Sequence, residues 1–156
     1  MTGTASSIDT GGSGFAALPA GVDLTSAASG AFVDLGLSLT LPTPGTYHLD
    51  AIVRGNIGNM TVNENALIAA RLWDVTAGAV VPNSEAIVVQ ISEWAPGAAT
   101  ALQWNASAAI SVEYTPTSPR TIRVEAARID VSGTTEVAGI GSDTLQRTTL
   151  RYLRVA

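Results

Sequence analysis

"LPTPGTYHLDAIVRG", residues 41–55, decides the fold, because a turn signal leads directly into an alternating segment. The Pro-x-Pro-Gly part fixes φ and then supplies a glycine that can take positive φ, which favours a tight turn. From Tyr47 onward, apolar side chains alternate with more polar ones, and successive side chains of a strand point to opposite faces. The stretch therefore predicts a half-buried strand, with Tyr47 in the core and His48 and Asp50 on the outer face.

The same period of two recurs along the chain between turn residues. "ENALIAARLWDV" has a composition that would suit a helix, but it alternates and ends in "DVTAG", a hairpin-type turn, so it is predicted as a strand. "VAGIGSDTL", with Gly139 and Gly141, is predicted as a turn because it lacks the spacing of a phosphate loop. The predicted strands lie at roughly 31–41, 46–55, 66–75, 79–81, 85–92, 106–115, 120–131 and 145–155. About eight short strands indicate an all-β sandwich or barrel.

The length of 156 residues fits one domain, preceded by an arm. Residues 1–14 are mostly Gly, Ser and Thr with one isolated Ile8, and such a segment buries too little apolar surface to fold alone. We therefore divide the chain into a flexible or docking arm, 1–14, and a β-sandwich domain, 15–156. The start lacks the pattern of a secretory signal, and the longest uncharged run is too polar to span a bilayer, so no membrane partner is predicted.

Composition excludes several classes of site. The chain has no cysteine and one histidine, which excludes disulfides, thiolate nucleophiles and multi-His metal sites within one chain. Residues 1–119 carry nine acids and two arginines (net −7), while residues 120–156 carry six arginines and four acids (net +2). Because acids dilute the arginines, no basic patch for nucleic acid is predicted.

The low charge content points to assembly. Charged residues make up 13% of the chain, against about 25% in ordinary soluble domains, and all eight basic residues are arginine. Scattered charges normally keep protein surfaces apart, so their scarcity favours a permanent oligomer. A compact monomer with a Ser, Thr and Ala surface is the alternative.

The candidate catalytic and metal residues do not form a recognisable site. His48 and Asp50 could form a base and its orienting carboxylate, but no third partner and no Gly-x-Ser-x-Gly motif accompany them. "NENA", with Glu64, and "NSE" at 83–85 supply oxygen ligands suited to calcium, but neither has the spacing of a calcium loop and turn chemistry explains the asparagines. The prediction is no catalytic residue, no cofactor and no metal, and hence not an enzyme.

Trp73, Trp94 and Trp104, together with Ile8 in the arm, are the candidate binding residues. Exposed tryptophans stack on sugars or fill partner pockets, because they combine a large area with a polar group. The alternative, that they cap the ends of the sandwich, stays open.

Three stretches carry a resemblance to a known superfamily: "LSLTLPTPGTYHLDAIVRG", "ALIAARLWDVTAGAVVPNSEAIVV" and "TIRVEAARI". They resemble the jelly-roll heads of the complement-type and tumour-necrosis-factor-like superfamily, particularly the small versions in virion proteins of tailed bacteriophages. The resemblance covers roughly residues 22–156. Its motifs are Gly45 with Tyr47, then Arg71 and Leu72 with Asp74 and Gly78.

The resemblance implies a jelly-roll β-sandwich that forms a homotrimer and belongs to a virion. The implied role is a capsid decoration protein that docks on the major capsid protein or another virion protein of a tailed phage. One alternative is the receptor- or glycan-binding tip of a phage fibre. The other is a small carbohydrate-active enzyme, which normally needs paired carboxylates.

Overall fold

The computed structural model describes residues 7–9, 12–59, 64–92 and 102–156, which form two antiparallel sheets packed together as a β-sandwich. The seven-stranded sheet contains β1 (Ser7–Asp9), β2 (Ser13–Ala17), β3 (Val22–Asp23), β5 (Tyr47–Asn59), β9 (Leu102–Tyr114), β11 (Val137–Gly141) and β12 (Thr149–Arg154). The five-stranded sheet contains β4 (Val33–Leu41), β6 (Asn65–Asp74), β7 (Ala79–Val80), β8 (Ala86–Ser92) and β10 (Arg120–Ser132). The predicted all-β sandwich is thus confirmed.

The long strand β5 organises the seven-stranded sheet. It pairs with β9 over its whole length on one side, and on the other side first with β12 and then with β11. Strands β2 and β1 continue the sheet beyond β12, and β3 continues it beyond β11. In the other sheet, β10 lies between β4 and β6, and β6 pairs with β8 and with the short β7.

The core lies between the sheets, where the alternating segments place their apolar rows. Leu35, Leu37, Leu39 and Leu41 of β4 are buried, as are Tyr47, Leu49, Ala51 and Val53 of β5. His48 and Asp50 lie on the outer side, so the predicted phase of this strand is confirmed. The ring of Tyr47 is fully buried and meets the ring of Tyr152 edge to face, with centroids 5.4 Å apart.

Two predicted turns hold the strand ends in place. In the turn after β6, the buried carboxylate of Asp74 accepts hydrogen bonds from the Ala77 N–H (2.8 Å) and the Tyr114 hydroxyl (2.6 Å), and Gly78 takes φ of 65°. In the turn before β5, Gly45 takes φ of 150° and lies against the end of the chain. A Cβ added at Gly45 would meet Ala156 O at 2.5 Å and Arg154 Nε at 2.7 Å, so this position requires glycine.

Three sequence predictions need correction in detail. The described residues form twelve strands rather than about eight, because several short strands extend the sheets. The segment with Gly139 and Gly141 is not a turn but β11, and the last strand begins at Thr149 rather than near 145. Glycine suits β11 because its backbone passes close to neighbours: a Cβ on Gly139 would meet Val22 O at 3.1 Å.

The boundary predicted between arm and domain, at residues 14 and 15, falls inside β2. Residues Ser7–Asp9 of the predicted arm form β1, whose backbone pairs with β2 at the edge of the sheet. Ile8 is opposite Phe15 in this pairing. No helix long and apolar enough to cross a membrane occurs among the described residues.

Candidate functional site

The outward-facing side chains of β2, β12, β5 and β9 form a continuous surface, here called the open face. Residues directly opposite in neighbouring strands share a face, so the strand register aligns them in rows. The rows are Phe15, Arg151, Asp50 and Ser111; Ser13, Leu153, His48 and Glu113; and Ala17, Thr149, Ile52 and Ala109. His48 and Asp50, the pair singled out by the sequence, thus lie at the centre of this surface.

Asp50 is the hub of a polar cluster on the open face. Its Oδ1 accepts a hydrogen bond from the Ser111 hydroxyl (2.7 Å) and lies 3.3 Å from His48 Nε2, while its Oδ2 accepts one from Arg151 Nε (3.0 Å). Partial burial acts to raise the pKa of Asp50, but these hydrogen bonds and the nearby charges outweigh it and hold the pKa below 3.8. Asp50 is therefore ionised at neutral pH and holds the other three side chains in place.

This cluster contains Ser, His and Asp, but its geometry differs from that of a catalytic triad. In a triad the serine hydroxyl donates to one ring nitrogen, and the carboxylate holds the other. Here Ser111 Oγ, 3.0 Å from Nε2, and the Asp50 carboxylate both approach that same nitrogen of His48, and the hydroxyl donates to the carboxylate. The arrangement orders charge and hydrogen-bonding groups on the surface, which suits recognition.

Apolar side chains surround the polar cluster. Phe15, Ile52 and Leu153 are exposed to 43%, 44% and 55%, although each lies within a paired strand. Beside the cluster, a shallow depression of about 610 Å³ is lined by Ser13, Gly14, Phe15, His48, Asp50, Arg151, Tyr152 and Leu153. Large apolar groups that converge on a few polar groups are typical of a surface that another molecule covers.

The open face continues past β12 with polar groups that pair among themselves. Arg54 Nη1 lies 2.6 Å from Asp143 Oδ2, and the side-chain amides of Asn56 and Asn105 are hydrogen-bonded at 3.0 Å. Gln103 Nε2 donates to Asn56 Oδ1 at 3.1 Å. Since these groups already have partners, covering them leaves fewer unmet hydrogen bonds than covering free charges would.

Trp73 and Trp104, the two candidate tryptophans among the described residues, lie on different surfaces. Trp73 lies on the outer side of the five-stranded sheet, half-buried, with the Arg71 guanidinium 4.9 Å from its ring centre. Trp104 is exposed to 56%, but it pairs with the buried Ile57 and so lies on the side of β9 away from the open face. Trp94 and the side chain of Ile8 lie outside the described residues.

The motif residues behind the resemblance have structural roles. Gly45 and Tyr47 anchor the chain end and the core as described above. Arg71 lies with its guanidinium 3.8 Å from the Phe32 ring centre and forms an ion pair at 2.8 Å with the buried Glu125. Leu72 is fully buried and Asp74 closes the hairpin turn, so the motif accounts for stability of the fold rather than for binding.

Sequence reasoning missed Ser111, Arg151, Phe15 and Leu153 as members of this surface. The alternation in "SAAISVEY" and "TLRYLRV" was sufficient to place Ser111 and Arg151 on outer faces, since their neighbours in sequence are apolar. The pairing of β9 and of β12 with β5 joins residues about 60 and about 100 positions apart in the chain, respectively. A periodic pattern carries no information about such pairing.

Comparison of the chain with protein-family models and with curated proteins gives no match. The functional conclusion therefore depends on the open face and on the strand order, together with the motifs quoted above.

Proposed function

We propose that this chain is a structural binding module, not an enzyme: a jelly-roll head that forms a homotrimer through the open face and serves as a capsid decoration protein of a tailed phage. The proposed trimer is supported mainly by the exposure of Phe15, Ile52 and Leu153 around the hydrogen-bonded Asp50 cluster. The fold, the interface and the particle each have separate support.

The strand order supports a jelly roll. Strands β2, β12, β5 and β9 lie side by side in one sheet, and β4, β10, β6 and β8 lie side by side in the other. From β4 onward, the chain crosses between the sheets and returns so that sequence-distant strands become neighbours. Eight antiparallel strands wound as two Greek keys are the usual description of a jelly roll; the other strands extend this pattern.

The size of the open face suits a subunit contact. Strands lie about 4.8 Å apart and every second residue is about 6.8 Å further along, so the three rows across four strands, with the polar continuation on β5 and β9, give a footprint on the order of 600 Å². Side-chain relief increases the accessible area beyond this footprint. A standard interface buries about 800 Å² per partner, which is a comparable area.

The chemistry of the face favours a second copy of the chain as the occupant. A ring of three subunits with heterologous contacts closes on itself and covers the apolar groups of every copy. Asp50 and Arg151 are already paired, at 3.0 Å, which lowers the cost of burying them relative to lone charges. The low charge content of the chain, 13%, agrees with a permanent assembly.

The role in a virion has its support in the resemblance of the Gly45–Tyr47 and Arg71–Gly78 motifs to small jelly-roll proteins of tailed phages. A fold hosts many functions, so this part of the proposal is an analogy between folds. The proposed partner is the major capsid protein or another virion protein, and the proposed location is the particle surface. Of the predicted arm, residues 1–11, with Ile8, are the proposed docking segment, since residues 13 and 14 belong to β2; a polar segment can order on a partner, and many copies on a lattice multiply its modest affinity.

Three parallel binding tests separate this proposal from its alternatives. The purified chain is incubated with empty tailed-phage capsids that lack a decoration protein, with a panel of bacterial surface glycans, and with the same glycans while released sugar is measured. Saturable co-sedimentation with capsids is the expected result. Glycan binding without capsid binding would indicate a fibre tip instead, with the exposed Trp104 as the first contact to examine, and release of sugar would make the chain an enzyme.

A further inference from the structure

One end of the sandwich encloses polar side chains between the two sheets. Asn59 ends β5, Glu64 immediately precedes β6, Asp130 lies near the end of β10, and Thr135 follows in the connection to β11. Asn59, Glu64 and Thr135 are exposed to only 2%, 2% and 4%. Polar groups buried to this extent normally have hydrogen-bond partners, since an unmet group costs about 1–3 kcal/mol.

The hydroxyl of Thr135 has one proton for two acceptors. Its Oγ1 lies 2.5 Å from Glu64 Oε1 and 2.5 Å from Asp130 Oδ1. A hydroxyl can donate to only one of two carboxylates. The other contact brings two oxygens together without a hydrogen between them, unless a further proton or a cation is present.

Other atoms of the cluster are also without partners. Glu64 Oε2 and both polar atoms of the Asn59 side chain are buried and make no hydrogen bond within the described part of the chain. The Asn59 amide nevertheless lowers the pKa of Glu64, so it faces that carboxyl. The carboxylates of Glu64 and Asp130 thus meet at the hydroxyl of Thr135, with the Asn59 side chain beside Glu64.

The charges around the cluster leave Glu64 uncompensated. Arg128 Nη1 pairs with Asp130 Oδ2 at 2.7 Å, and its Nη2 donates to Ala27 O. None of the ion pairs found among the described residues involves Glu64, and the charge of nearby Glu136 adds to the repulsion. Burial, with the charges of Asp130 and Glu136, raises the pKa of Glu64 despite the hydrogen bond from Thr135 and the nearness of the Asn59 amide.

We propose that Asn59, Glu64, Asp130 and Thr135 form a Ca²⁺ site at this end of the sandwich. A cation between the carboxylates would be coordinated by the oxygens that lack hydrogen-bond partners and would compensate the charge of Glu64. It would also stabilise the contact between Thr135 and the carboxylate to which its hydroxyl does not donate. This site lies between the sheets and away from the open face, and it does not depend on the assembly proposed above.

Ligand chemistry selects Ca²⁺ among the common cations. All the available donors are oxygens, and Ca²⁺ accepts carboxylate, amide and hydroxyl oxygens in flexible geometry with water completing the shell, whereas Mg²⁺ demands near-ideal octahedral geometry. No group of three or more His, Asp or Glu side chains suited to a metal occurs in the described residues. A site with two carboxylates should therefore be weak, with Kd of about 10⁻⁴ to 10⁻³ M, as in extracellular calcium modules.

Thermal unfolding of the purified full chain tests the site. At about 10 mM CaCl₂, roughly 10 to 100 times Kd, binding to the folded state should raise Tm by about 3–10 °C relative to the chain in chelator. MgCl₂ at the same concentration should have a much smaller effect. Equilibrium dialysis of the wild-type chain with radioactive Ca²⁺ should give one bound ion per chain, and this measurement needs no variant.

Matched variants locate the site. Glu64→Gln should fold in chelator and lose the calcium-induced rise in Tm, because it removes the uncompensated charge and one ligand. Glu85→Gln, on a side chain exposed to 61%, should respond to Ca²⁺ as the wild type does. No bound Ca²⁺ in dialysis would overturn the proposal, as would an unchanged calcium response in Glu64→Gln. The proposal would also be overturned if Ca²⁺ left the wild-type Tm unchanged while Tm rose as pH fell toward 4.5. A proton shared between the carboxylates would then account for the cluster.

Discussion

Replacing Tyr47 or its neighbour His48 by alanine tests which side of β5 belongs to the core. Tyr47 is fully buried, its ring packs edge-on against Tyr152 at 5.4 Å, and its hydroxyl donates to Thr43 O at 2.8 Å. Truncation removes the ring and leaves a cavity, so Tyr47→Ala should cost about 3–5 kcal/mol. At 2–4 °C per kcal/mol for a chain of this size, Tm should fall by about 6–20 °C.

The adjacent position should respond very differently. The His48 side chain is 41% exposed, and its contacts are the hydrogen bond with Ser111 and the approach to Asp50. Within one chain, surface substitutions of this kind usually cost within about 0.5 kcal/mol, so His48→Ala should lower Tm far less than Tyr47→Ala does. Because His48 lies in the proposed subunit contact, any further loss should depend on chain concentration. Tyr47→Phe separates the ring from the hydroxyl and should lose about 1 kcal/mol, the value of one hydrogen bond.

Urea unfolding, followed by tryptophan fluorescence, measures these differences in the free energy of unfolding. The chain concentration is kept fixed because the stability of an oligomer depends on it. Equal tolerance of Tyr47→Ala and His48→Ala would refute the assignment of the two faces. The assignment of outward-facing side chains to the open face would then be wrong.

Three further predictions concern other parts of the chain. Burial, followed by the hydrogen bond and charge of Asp74, raises the pKa of Tyr114 from 10.0 to about 12. The stabilisation by the protonated hydroxyl is therefore complete below pH 10 and disappears as pH rises toward 12. Between these pH values, the free energy of unfolding in urea titrations should fall by about 1–2 kcal/mol less for Tyr114→Phe than for the wild type. Gly45→Ala should lower Tm more than Gly36→Ala, because both have positive φ but only the first Cβ would collide with neighbouring atoms. Deleting residues 2–11 leaves β2 whole, so the chain should still fold while its occupancy on capsids falls sharply; wild-type occupancy would show that this segment is passive.

Local patterns predict well where one strand face is buried. The alternation around Tyr47 and His48 specifies which side chains enter the core, because a shift of one residue would expose the whole apolar row. The same reasoning distinguished a strand from a helix in β6, despite its helix-forming composition. Turn chemistry placed the hairpin after Asp74, where Gly78 takes the positive φ that the pattern requires.

Local sequence patterns could not predict features that depend on the pairing of strands far apart in the chain. The role of Ser111 beside Asp50 requires the pairing of β9 with β5, and that of Arg151 requires the pairing of β12. Glu64 was interpreted as part of a polar turn, whereas it is buried against Thr135, 71 residues further along the chain. β11 was missed because its glycines resemble a turn, although they allow close contact between strands.

The molar mass in solution tests the assembly through the open face most directly. Light scattering after gel filtration at micromolar concentration should give three times the 15.9 kDa of one chain. Leu153→Asp, on the open face, should give the mass of one chain, because burying the exposed half of each leucine contributes about 1 kcal/mol per copy and a buried unpaired charge costs more. Val131→Asp, equally exposed at the end of β10, should stay trimeric. A monomeric wild type, or a trimer that Leu153→Asp leaves intact, would contradict the account.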